Sequence, residues 1–140
     1  MDESCENRFW HIAYHVLFYT HLYLADDEEA FEAWAHSRKD YELFDPVPWL
    51  PGFTPEIDEP YTKEQIMGFV DHCREEVDRR IPSLDPEAES GFFWLPFSKL
   101  ELQFYNIRHI QHHTAQLADR LRNHASIGVV WVGTRNSEEA

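Results

Sequence analysis

Phe9-Trp10-His11-Ile12-Ala13-Tyr14-His15-Val16-Leu17-Phe18-Tyr19-Thr20-His21-Leu22-Tyr23-Leu24 is the stretch whose reading decides the fold. It belongs to a run, residues 3–24, that lacks glycine and proline and carries apolar side chains almost all round a helical cylinder. A helix without a clear polar face is normally a buried one, so the pattern predicts a buried helix here.

Outward from it, a shorter helix is expected to start after Asp26–Asp27 and run through Phe31 and Trp34 to about Arg38. The acids at its start suit the positive end of a helix dipole. Residues 39–61 hold Pro46, Pro48, Pro51, Pro55, Pro60 and Gly52, a density that forbids regular structure. This segment reads as a crossover strap, packed on the body through Trp49, Leu50 and Phe53. Thr62-x-x-Gln65 is a capping box, followed by Ile66, Phe69, Val70, Cys73 and Val77 at helical spacing up to about Arg80. A second connection contains Pro82, Pro86, Gly91 and Pro96. Another capping box, Ser98-x-x-Glu101, opens a helix to about Asn123. Ile127–Val132 reads as an extended segment lying against the bundle, with residues 133–140 a disordered tail. The expectation is a single all-α domain over residues 1–140, a helical bundle with long Pro-rich crossover loops.

Ten Phe, six Tyr and five Trp in 140 residues are ample for a real core. The net charge of −14, from 26 acids against 12 bases, repels phosphate backbones, so nucleic acid is not expected as a partner. The plain role of such acidity is solubility. No run approaches the ~18 apolar residues of a membrane span. An acidic start (Asp2, Glu3, Glu6) does not suit a secretory signal, and two isolated cysteines, Cys5 and Cys73, make no disulfide framework. A cytoplasmic protein is the expectation.

Nine histidines are many for this length, and their placement matters more than their number. In Asn106-Ile-Arg-His109-Ile-Gln-His112-His113-Thr-Ala-Gln116, His109 and His113 stand four apart, about 40° round a helix and one turn along it. Two imidazoles so placed can reach one cation, the mechanics of a His-x-x-x-His zinc site. His112 points away. His15 lies in the middle of the most apolar helix, where a polar side chain without a partner is costly. A metal ion held by the two histidines of a facing helix would be such a partner. A hydrogen-bonded histidine cluster without metal is the alternative left open.

Trp10-His-Ile-Ala-Tyr-His15-Val-Leu-Phe-Tyr-Thr-His-Leu-Tyr-Leu24 resembles the first metal-ligand helix of the DinB/YfiT-like superfamily. Asn106–Leu117, with its His-x-x-His-His pattern, resembles the second. The order of segments between them fits as well, across roughly residues 8–132, although only the two histidine segments are specific. The resemblance implies a four-helix bundle with a divalent metal on His15, His109 and His113, and His112 as the neighbour that does not bind. It also implies a metal-dependent enzyme that uses a low-molecular-weight thiol, such as bacillithiol, mycothiol or glutathione, on a small electrophile. One departure stands out: only 14 residues precede His15, so the family's usual first helix is not expected, and either the bundle has three long helices or the gap is filled by the second helix, the tail or another subunit. A homodimer is expected to cover what that helix would cover, since the first helix is apolar on so many sides.

Three neutral imidazoles leave the charge of a divalent ion intact and a coordination position open, which suits thiol S-transfer or hydrolysis. Zinc is the default; nickel, manganese and iron also accept imidazole. Asn106, Gln116, Tyr19 and His11 are the neighbours placed to orient ligands or substrate. The sequence offers no catalytic acid or base on the ligand stripes. The alternative function is a non-catalytic bundle whose metal is structural or serves ligand binding or dimerisation.

Overall fold

The computed structural model describes residues 8–133. Three α-helices carry the fold: α1, Phe9–Leu22; α2, Lys63–Arg80; and α3, Lys99–Ala125. A 3-10 turn, Ile81–Ser83, follows α2, and among the described residues the only β-type pairing is an isolated bridge between Glu89 and Ser98. The chain is therefore all-α. No helix among the described residues is long and apolar enough to cross a membrane.

Both capping boxes form. The Thr62 hydroxyl accepts from the Gln65 amide while the Gln65 side chain accepts from the Thr62 amide. Ser98 and Glu101 do the same at the start of α3. These reciprocal bonds satisfy amides that a helix N-terminus otherwise leaves unpaired.

α1 is the central element. It packs on α2 along one side and on α3 along another, whereas α2 and α3 do not approach each other among the described residues. No residue of α1 is exposed. The apolar surface of α1 is thus covered within the chain. One core cluster joins α1 to α2 and the strap through Tyr14, Trp34, Tyr41, Tyr61, Phe69 and Cys73. The other joins the end of α1 to α3 through Leu22, Tyr23, Phe92, Leu95 and Leu102.

The end of α1 is tied down by Lys99. Its ammonium is buried and donates to the carbonyls of Ala25 (3.0 Å), Asp26 and Ser90 (2.6 Å). The buried cation is thus satisfied by carbonyls of the turn that follows α1 and of the second Pro-containing connection. Gly91 makes this junction possible: its φ is +88°, and an added Cβ would fall 2.0 Å from the Asp26 carbonyl oxygen. Only glycine tolerates both demands.

Three expectations are corrected. Residues 26–38 form bends and turns instead of a helix. Asp26, Asp27, Glu28, Glu29 and Glu32 crowd like charges into it. The Asp27 carboxylate accepts the Ala30 amide at 2.7 Å, a local bond that competes with helix. Burial of Trp34, stacked on Phe69 at 4.5 Å, then overrides a short helix that is marginal anyway. The strap packs through Tyr41, Leu43 and Val47, while Trp49, Leu50 and Phe53 are exposed. The segment Ile127–Val132 does not lie on the bundle: Val130 and Trp131 are 83% and 85% exposed. The expected disorder of 133–140 falls, Gly133 apart, outside the described residues, as does Cys5.

Candidate metal centre

His15 sits mid-way along α1, and His109 and His113 stand one turn apart on α3. The three converge. His15 Nε2 lies 3.2 Å from His109 Nε2, and His113 Nε2 lies 3.0 Å from the same atom. Candidate ligand atoms of the three all fall within 4.8 Å of one another, and no other group of three or more His, Cys, Asp or Glu among the described residues does so. Around a tetrahedral zinc with Zn–N of about 2.0–2.1 Å, neighbouring nitrogens stand about 3.3–3.4 Å apart. The two spacings to His109 Nε2 need only a slight expansion.

The far side of each ring decides what the near side presents. His15 Nδ1 donates to the Glu42 carbonyl at 2.6 Å. His113 Nδ1 donates to the Gln116 side-chain oxygen at 2.7 Å. A carbonyl oxygen accepts only, so both rings hold their proton on Nδ1 and turn a bare lone pair inward at Nε2. His109 has no such partner: its Nδ1 is buried and unpaired. A neutral His109 has at most one Nε2 proton to offer two facing lone pairs. A cation at the common point satisfies all three nitrogens together.

The rings are neutral at ordinary pH. Burial pulls His15 down to about 3, with His113 and His109 adding to the effect against the Glu42 carbonyl. Burial and the neighbouring His113 pull His109 down to about 4. His113 is lowered as well, chiefly by burial, although Gln116 opposes it. Protons therefore compete poorly with a metal for these lone pairs.

Aromatic rings wall the cluster. Phe44, from the strap, stacks on His15 with centroids 4.0 Å apart and meets His113 edge-on at 6.0 Å. Tyr19 packs on His15 at 4.9 Å and on His109 at 5.7 Å. The phenol of Tyr19 is held protonated, mainly by burial and then by the Glu42 carboxylate.

Of the expected neighbours, Gln116 and Tyr19 touch the histidines directly. Asn106 does not; its amide donates to the Thr20 carbonyl at 3.2 Å and so fixes α3 against α1. His11 donates to the Tyr41 carbonyl at 2.8 Å and anchors the strap, with Phe44 packed between it and His15. His112 lies on the exposed side of α3. Glu42 and Phe44 escaped the sequence reading because they sit in the proline-rich strap, where no periodicity says which way a side chain faces. Phe92, Leu95 and Leu102 are core, whereas Phe93 is exposed at the surface. No protein-family model, curated protein or solved structure matches this chain.

Proposed function

We propose that the chain is a divalent-metal protein of the DinB/YfiT-like kind, with the ion held by His15, His109 and His113. The observation that carries this reading is the convergence of three imidazole Nε2 atoms, two of them locked into the metal-binding tautomer from behind. Zinc suits the donor set best, and nickel, manganese or iron would also be accepted. The cluster has three members among the described residues, so a tetrahedral ion keeps one position for an outside atom. That favours a catalytic ion over a structural one.

When bound, the ion acts as a Lewis acid that lowers the pKa of a thiol or water. The protein's share is positional. Glu42 and Gln116 hold two tautomers, while Phe44 and Tyr19 exclude water from one flank and present apolar surface to a substrate. The reaction class we propose is S-transfer from a low-molecular-weight thiol to a small electrophile, or the related hydrolysis. Cys73 is not the thiol: it is buried in the core, and burial pushes its pKa up to about 12.

Elemental analysis of the purified protein beside a His113→Ala variant tests the metal, and a thiol panel assayed with several electrophiles tests the chemistry. Metal in the wild type, its loss in the variant and thiol-dependent turnover are expected. Equal metal content in both proteins removes the site. Metal without turnover above the chelated protein makes the ion structural.

A further inference from the structure

α1 offers a second histidine on its other side. His21 lies six residues after His15, roughly 240° round the helix, and faces α2. Its Nε2 stands 3.3 Å from His72 Nε2. His72 and Glu76 are one turn apart on α2, and Glu76 Oε2 lies 3.9 Å from His21 Nε2. A cavity of about 260 Å³ opens beside them, lined by His21, His72, Glu76, Glu32, Arg79 and Arg80 among others.

We infer that His21 and His72 form a second site for a divalent transition-metal cation, with Glu76 supplying negative charge and the cavity room for the remaining ligands. The 3.3 Å between the two nitrogens is the edge of a tetrahedral zinc site, about 3.3–3.4 Å. Two imidazoles select zinc, nickel or copper over calcium and magnesium, which demand oxygen donors. Burial keeps His21 neutral, so one of its ring nitrogens carries a lone pair. Arg79 and Arg80 set the balance of charge. Arg79 grips the Glu76 carboxylate with contacts of 2.7 Å, and Arg80 lies 3.5 Å from it, so Glu76 is held with Oε2 toward His21. Their positive charge makes this the weaker of the two sites.

Zinc titration of the full chain by calorimetry tests this, with His72→Gln as the variant because His72 is half-buried on the cavity wall and glutamine keeps a polar group beside His21. Two ions per wild-type chain are expected, one in His72→Gln, one in His113→Ala and none in the double variant. A second ion that survives His72→Gln overturns the inference, as does a wild type that binds a single ion His72→Gln leaves in place. The inference does not rest on the three-histidine site. If that site fails, the wild type binds one ion and His72→Gln abolishes it.

Discussion

The two sides of α1 are built from the same donor, and they differ in what stands behind it. Toward α3, His15 meets two histidines, and a backbone carbonyl and a glutamine side chain fix the outer nitrogens of two rings. Toward α2, His21 meets one histidine and a carboxylate already shared with Arg79, and its own Nδ1 is buried without a partner. A histidine becomes a strong ligand when its second nitrogen has somewhere to put its proton. Counting histidines does not separate the two sides; tracing their far nitrogens does.

The largest effect that would break the comparison is loss of the packing behind the α2 side. Phe69 is fully buried, with Tyr14 5.5 Å and Trp34 4.5 Å from its ring and His21 and His72 beyond. Phe69→Ala should cost about 3–5 kcal/mol in denaturant unfolding. If the sides are independent, His15, His109 and His113 should still bind zinc in the folded fraction.

Removing a ligand comes next. His15→Ala should lower zinc affinity at the three-histidine site by more than the 10–100-fold that an outer partner commands, measured by competition with a chromophoric chelator. His72→Gln should leave that affinity unchanged. Chelation of the wild type should lower Tm by about 10 °C if metal was present at roughly a hundred times Kd, and His113→Ala should not respond at this site.

Acid acts on both sides with one sign. In the metal-free protein, burial holds His15 at about 3 and His21 and His109 at about 4, below the ordinary 6.5 of an unfolded chain. The unfolded state then binds more protons, so stability is fully present above about pH 6.5 and is lost as pH falls toward those folded values. Tm should fall steadily between pH 7 and pH 5, and zinc should offset the fall. A flat profile would mean that the rings are more solvated than their burial indicates. The finest test is Gln116→Ala, which frees the His113 tautomer and should cost about tenfold in zinc affinity without changing the number of ions bound.

The parts of this arrangement set by near neighbours were legible in the sequence. The capping boxes at Thr62 and Ser98 and the one-turn spacing of His109 and His113 depend on residues three or four apart, and all are as expected. His15 was legible through its burial alone, because an apolar helix marks any polar residue within it. What depended on distant contacts was not. Residues 26–38 look helical until the crowded acids and the docking of Trp34 are weighed. The strap's Glu42 carbonyl is a backbone atom that carries no side-chain signature. Asn106 shares the ligand stripe, yet its bond to Thr20 belongs to the joint between helices. His72 stands on an ordinary amphipathic helix, and only the fold brings it to His21.

The central claim is that the three inward nitrogens share one ion, and anomalous diffraction at the zinc edge from crystals grown with zinc tests it most directly. A peak about 2.0–2.1 Å from Nε2 of His15, His109 and His113 is predicted. Ordered crystals with no anomalous density between these rings, and His109 Nε2 simply hydrogen-bonded to a neighbour, would contradict it.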